Sequence, residues 1–389
     1  MNQPAFKNRN GLDPKLTPLS SFKRISLVTD AWAPQVNGVV TTLTQLVVQL
    51  RSLNIEVDVI HPMDYQHIPM PTYKEIPWVW RAQGLKERIK SFQPDAIHIA
   101  TEGALGWKVR KIALQNNWPF TSAYHTKYPQ YVRARLPIPL SFTYKILRLF
   151  HDKACRTFVP AESIQEELLH HGFKNLVGMT RGVNTAVFNP TCKLSEAERK
   201  KWNLEPHYYL YVGRIAIEKN LRAFLDLQLP GQKVVVGKGP DLDKLQTDYP
   251  AVRFVGAQFG HQLAKFYASA QVFVFPSLTD TFGVVNIEAI ACGTPVAAFP
   301  VTGPKDSITP NVNGVLSDDL KTAILQAEKL NRAGLPKSIQ RYSWQTAAQQ
   351  FLANLAVIKA NQNPTIDTTQ VTSEQPETSA LKKKTIHHA

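Results

Sequence analysis

Cysteine is scarce in this chain: Cys155, Cys192 and Cys292 are the three among 389 residues. Their number is odd and their spacing wide. That excludes a disulfide-stapled scaffold and a cysteine-based metal centre, and it suits a reducing compartment. Long apolar runs are missing too. The hydrophobic stretches are strand-sized, short of the roughly 20 residues of a membrane-spanning helix. The start, Met1–Phe22, is polar and proline-containing, without the apolar segment of a secretory signal. A cytoplasmic location is therefore expected. Spaced glycines are also few: the loop after the first apolar run holds Gly38 but not the three glycines of a dinucleotide fingerprint. Acid is in deficit, with 30 aspartates and glutamates against 45 lysines and arginines, a formal charge of +15. Residues 1–190 contain 23 basic and 13 acidic residues, so +10 of the excess lies there. Such charge suits a phosphorylated substrate, an anionic membrane or nucleic acid, and does not choose among them.

What the chain does have is a repeated alternation of short β-branched runs with amphipathic segments. Ile25–Thr29, Val57–His61, Ala96–Ala100, Phe120–Tyr124 and Thr157–Val159 form a first set, with Thr41–Leu53 and Leu85–Phe92 as covering helices. A second set, Tyr208–Val212, Val234–Gly237, Val252–Val255, Val272–Phe275 and Pro295–Ala298, alternates with helices over Leu221–Leu227, Asp241–Asp248, His261–Ala268 and Val285–Ala291. Near-continuous apolar strands belong in parallel sheets covered on both faces. The pattern predicts an α/β chain of two Rossmann-like, doubly wound domains facing a central cleft. The boundaries follow composition: an extension over 1–22, a first domain over 23–190, a linker over 191–206 and a second domain over 207–342. A terminal helix over 343–360, capped by Ser343, is expected to pack back toward the first domain, and 361–389 reads as a disordered tail.

Several strand-end loops carry residues suited to chemistry. In Phe275–Val296, a buried strand runs into a polar loop with Asp280, Phe282 and Gly283, then a helix from Val284 that contains Glu288. Unpaired N–H groups at such a helix start receive anions or hydroxyls. Carboxylates accept hydrogen bonds from sugar hydroxyls with no donor of their own in competition. In Tyr211–Leu221, Gly213 and Arg214 precede Lys219; two cations at a strand end suit a diphosphate. Asn37 and Gly38 follow the first strand, Glu102 lies in the Ile97–Gly106 strand-to-helix loop, and His125 follows the Phe120 strand. Either acid alone would read as a capped helix with an exposed carboxylate, and either cation alone as a solvated loop.

Together these segments resemble glycosyltransferase family 4, retaining enzymes of the GT-B fold, over roughly Arg24–Ala360. The Asp280-x7-Glu288 run matches the family's E-x7-E signature with aspartate in the first position, and Arg214-x4-Lys219 its basic loop. Asn37 stands where many relatives have glycine, and Asn184 in Thr180–Asn184 where they have aspartate, which leaves Asn184 a hinge role. The resemblance implies His125, Asp280, Arg214 and Lys219 as catalytic residues. It implies Gly38, Gly213, Gly237, Phe282, Gly283, Val284 and Glu288 as donor-binding, with Asp280 on the sugar and Glu288 on the ribose. Asn37 and Glu102 fall on the acceptor side. The implied partners are a nucleotide-diphosphate sugar and a lipid or glycan acceptor, with no nucleic acid, no cofactor and no metal. The Asp241-Leu-Asp243 triplet reads as helix-start chemistry and not as a metal site. Pro71–Ile76 is similar to relatives that use GDP-mannose or UDP-sulfoquinovose.

The basic, aromatic segment Tyr131–Arg156 leaves two readings open: a helix lying on anionic lipid at the inner membrane face, or a core helix with a solvated basic side. Two other functions also remain open, a nucleotide-sugar epimerase on the same scaffold and a non-enzymatic binder of anionic surfaces.

Overall fold

The computed structural model describes residues 22–35, 37–70 and 73–358. The expected N-terminal extension, apart from Phe22, and the expected tail lie outside the described residues, as do Pro71 and Thr72. The strands are β1 (Arg24–Val28), β2 (Glu56–Ile60), β3 (Gln66–Met70), β4 (Tyr73–Arg81), β5 (Ala96–Ile99), β6 (Phe120–Ala123) and β7 (Arg156–Val159). They continue with β8 (Leu176–Gly178), β9 (Tyr208–Val212), β10 (Gln232–Val236), β11 (Arg253–Phe254), β12 (Val272–Phe275), β13 (Val296–Ala298) and β14 (Gly314–Leu316).

Two six-stranded parallel sheets result, in the orders β2-β1-β5-β6-β7-β8 and β11-β10-β9-β12-β13-β14. Every residue of β9 and β12 is buried, as strands covered by helices on both faces must be. The strand order reverses between β1 and β5 in the first sheet and between β9 and β12 in the second. Loops at the carboxyl ends of those strands diverge there, opening the crevice in which open α/β sheets bind ligands.

Four features differ from the sequence pattern. Strands β8 and β14 are absent from that pattern: each has three residues, one of them a glycine, a residue depleted in strands. The antiparallel pair β3–β4 sets Pro69 opposite Pro77, and prolines are tolerated in such a ribbon because its outer edges need no donor. The linker contains a helix, Glu196–Trp202, opened by a Ser195–Glu198 capping box. The terminal helix stops at Asn354, where Leu355 turns extended and Ile358 N–H donates to the Asp95 carbonyl at 2.8 Å. Its Phe351 and Leu352 pack with Leu43, Leu46 and Leu50 of the helix Gly38–Ser52, in the first sheet's core. Each such buried side chain contributes about 1.5–3 kcal/mol. The chain thus crosses between the sheets a second time. Gly182 makes room for the crossing: a Cβ there would lie 2.3 Å from the Trp344 nitrogen.

Candidate active site at the strand ends

On the second sheet, the loop after β9 lies backbone to backbone on the loop after β10. Gly213 N–H donates to the Val236 carbonyl at 3.0 Å and Ile215 N–H to the Lys238 carbonyl at 2.9 Å. A Cβ on Gly237 would stand 1.9 Å from the Gly213 oxygen, and one on Gly239 2.1 Å from the Ile215 oxygen. The glycines are therefore steric requirements of the turn that presents Arg214, whose carbonyl accepts from the Tyr211 hydroxyl at 2.8 Å. Five residues on, Lys219 Nζ donates to both oxygens of Asp280, at 2.7 and 2.9 Å. Burial disfavours the lysine's charge; Asp280, with Tyr131 and Tyr211 adding less, overrides that and holds the ammonium above lysine's ordinary value. An ammonium has three donors. Two serve Asp280, and the Tyr131 hydroxyl lies against the ammonium as well.

The loops after β9 and β12 are tied together: Thr279 Oγ1 donates to the Glu218 carbonyl at 3.1 Å and Asn220 Nδ2 to the Pro276 carbonyl at 3.2 Å. Gly283 then turns the chain with φ +80°, where a Cβ would stand 2.7 Å from Asn286 Nδ2, and opens the helix Val284–Ala291. Phe282 is buried edge-on against Tyr342, and Val284 is half-buried at the helix start. Glu288 lies in the second turn of that helix. Its Oε2 accepts from the Tyr267 hydroxyl at 3.2 Å, and burial pushes its carboxyl up to about 7. Ser277 Oγ and Asn286 Oδ1 are buried with no hydrogen-bond partner among the described residues.

Across from this, His125 follows β6 and its carbonyl accepts from Thr281 Oγ1 at 2.8 Å, so the two domains meet beside Asp280. Arg135 bridges them as well, at 2.7 Å from Glu218. Buried Arg181 donates to His125 Nδ1 at 2.9 Å. Burial first, and that guanidinium second, hold the imidazole well below its ordinary pKa, hence neutral. With Nδ1 accepting, the proton resides on Nε2. That Nε2–H is buried and finds no partner among the described residues, an unspent donor at the seam of the domains.

The first sheet's crevice is organised by a residue that the sequence reading passed over. The Asp30 carboxylate, at the end of β1, accepts from Thr101 Oγ1 at 3.0 Å, Leu105 N–H at 2.8 Å and Gly106 N–H at 3.2 Å. It caps the helix Ala104–Gln115, whose own N-cap, Gly103, has no side chain. Burial raises its pKa against the pull of these donors. The helix start without a capping residue was the available signal. Asn37 caps the helix Gly38–Ser52, its Oδ1 accepting from Val39 and Val40 N–H at 3.0 Å each. Gly38 faces open space, with nothing within 4 Å of an added Cβ. Glu102 joins a buried chain of contacts: His151 Nε2–H donates to it at 3.0 Å, His151 Nδ1 meets Ser122 Oγ at 2.8 Å, and Ser122 meets Thr157 at 3.0 Å. The fold thus brings Lys219, Asp280 and the His125 backbone to one place, with the Arg214 carbonyl held by Tyr211 on the adjoining turn. Glu288, Asn37 and Glu102 hydrogen-bond instead to residues of their own domains.

Among the described residues, no group of three or more His, Cys, Asp or Glu is placed to hold a metal ion. Asp241 and Asp243 flank the start of the helix Leu242–Asp248.

Two facing doubly wound sheets with this pairing of loops define a glycosyltransferase of the GT-B class. The model of the family described as Glycosyltransferase Family 4 matches residues 36–187, and that of Glycosyl transferases group 1 matches residues 194–351. A GDP-mannose-dependent alpha-mannosyltransferase of Mycobacterium tuberculosis is 30% identical over 315 residues, covering 75% of this chain and 83% of that protein. A sulfoquinovosyl transferase of Arabidopsis thaliana is 32% identical, over 78% of this chain and 64% of that protein. An alpha-monoglucosyldiacylglycerol synthase of Streptococcus pneumoniae is 28% identical, over 78% of this chain and 76% of that protein. Among solved structures, sucrose-phosphate synthase of Thermosynechococcus elongatus shares the fold, with a TM-score of 0.67 at 21% identity over 85% of this chain and 97% of that one. The chain belongs to glycosyltransferase family 4. It transfers sugar from a nucleotide sugar to an acceptor, and the epimerase and non-enzymatic readings are set aside.

Proposed function

We propose that this glycosyltransferase moves a hexose of the mannose class from GDP-mannose to a lipid-linked acceptor at the inner membrane face, with retention of configuration and without a metal. The observation that carries the proposal is the Lys219–Asp280 pair beside Arg214 at the switch point of the second sheet. The Lys219 ammonium and the Arg214 guanidinium meet the charge that grows on the departing diphosphate. Asp280 accepts from the sugar's hydroxyls, and the Nε2–H of His125 supplies a fixed donor to the same sugar. The bond between the anomeric carbon and the phosphate oxygen breaks as the acceptor oxygen attacks from the same face, and the acceptor's proton passes to the leaving phosphate. Glu288 holds the ribose. The mannosyltransferase relative supports the donor, and the relative named for a monoglucosyldiacylglycerol product supports a lipid acceptor.

Thermal shift with GDP, UDP, ADP and GDP-mannose tests this. A donor at 100 times its Kd stabilises the fold by about 2.7 kcal/mol. GDP-mannose is expected to raise Tm in the native chain and to do so far less in Lys219→Met. Equal shifts in both, or no response to any nucleotide diphosphate, would sink the clamp.

A further inference from the structure

The helix Leu140–His151 buries Tyr144, Leu147 and Phe150 against the first domain. Phe142, Ile146 and Leu149, at i, i+4 and i+7, form a second apolar stripe on its outer side, with Phe142 55% and Leu149 60% exposed. Ile146 between them is 42% exposed, so the whole stripe faces outward. It also does not end with the helix. The Arg110 guanidinium donates to the carbonyls of Leu149 at 2.8 Å and Phe150 at 3.0 Å, and lies over the Trp107 ring at 5.1 Å. Arg110 and Trp107 line a groove of about 650 Å³ between the helix Ala104–Gln115 and β4, where Trp78 and Trp80 stand 48% and 52% exposed, separated by the inward Val79. Stripe and groove therefore adjoin at Arg110.

The charges on the two helices of this face have one sign. The two helices, ALGWKVRKIALQ and LSFTYKILRLFH, contain Lys108, Arg110, Lys111, Lys145 and Arg148 and no acid at all. The first acid after them, Asp152, lies 3.9 Å from Arg148.

We infer that the face formed by Trp78, Trp80, Lys108, Lys111, Ile146 and Leu149 docks on an anionic lipid bilayer. Tryptophans sit at the headgroup level of membranes, where one side of the ring is apolar and the other wet. Half-exposed leucine and isoleucine enter the acyl boundary, and cations without local acids are drawn to anionic headgroups. A nucleic acid would satisfy the cations and leave Phe142, Ile146 and Leu149 without a partner. The helix that lines the groove begins at the Asp30 cap, so docking sets the first sheet's crevice close to the bilayer surface. Delivery of a lipid acceptor to that crevice rests on the proposed function; the docking itself does not.

Co-sedimentation of the full chain with vesicles of phosphatidylcholine, alone or mixed with phosphatidylglycerol, tests the inference. The chain is expected to bind the mixed vesicles and be released by salt, with a blue shift of tryptophan emission that shrinks in Trp78→Ser/Trp80→Ser. Lys108→Gln/Lys111→Gln should weaken partitioning about 25-fold, roughly fivefold per cation. Ile146→Glu/Leu149→Glu should abolish it. All three pairs are on the surface, and an unchanged Tm shift with GDP reports an intact fold. Equal binding to both kinds of vesicle, wild-type binding by the variants, or binding of a single-stranded oligonucleotide in place of vesicles would overturn it. Vesicle binding without transfer to any lipid would defeat the acceptor reading and leave the docking face standing.

Discussion

Replacing Glu288 by glutamine isolates a single buried proton. In the native chain burial lifts this carboxyl from 4.5 to about 7. Between those two values the folded state holds a proton that the unfolded state has lost, so wild-type stability falls as pH rises through that window. Glutamine has the same shape and no charge at any pH, and so escapes the loss. The cost in the wild type is about 1 kcal/mol at pH 5 and about 3 kcal/mol at pH 8, from 1.36 kcal/mol per pKa unit. Urea midpoints of both proteins, measured across that range with slopes compared, read the difference directly. The glutamine variant should gain on the wild type by about 2 kcal/mol between pH 5 and pH 8. A constant offset would show that Glu288 titrates normally and that its burial has no electrostatic consequence. A ribose on Glu288 adds a second signature: hydroxyl donors favour the carboxylate, so nucleotide binding near neutral pH should release a proton, visible by calorimetry in buffers of different ionisation enthalpy.

Gly237→Ala drives a methyl to within 1.9 Å of the Gly213 oxygen and must displace the loop that presents Arg214. A loss of about 1–3 kcal/mol in urea unfolding and a smaller GDP shift are expected; wild-type values would show the turn is slack. Arg181→Met removes the donor to His125 Nδ1 and the cation that helps keep the ring neutral. Turnover should fall more than the donor KM rises, and the acid limb of the pH–rate profile should move toward neutrality, because His125 then protonates at higher pH; an unmoved limb refutes the link. Activity should survive exhaustive chelation, since Arg214 and Lys219 meet the leaving charge; strict metal dependence would refute that assignment.

The α/β class and the positions of the long strands were legible in the chain because an apolar run of four or five residues flanked by amphipathic helices has few other uses. The Asp280–Glu288 and Arg214–Lys219 loops were legible as well, since strand ends, glycines and charges lie close together along the chain. Strands β8 and β14 escaped because each offers only two apolar residues beside a glycine. Asp30 escaped because its partners, Thr101, Leu105 and Gly106, are more than seventy residues away.

The sequence by itself thus determined which side chains stand at the ends of which strands, because hydrophobic period and turn chemistry are local properties. Only the tertiary structure decided how those side chains spend their hydrogen bonds. Lys219 is shared with Asp280, Asn37's oxygen is committed to a helix cap, and Glu102 is linked to His151. His125 has its proton placed on Nε2 by an arginine 56 positions away. Burial and pairing arise when distant segments pack, and they set the charge and the free donors on which chemistry depends.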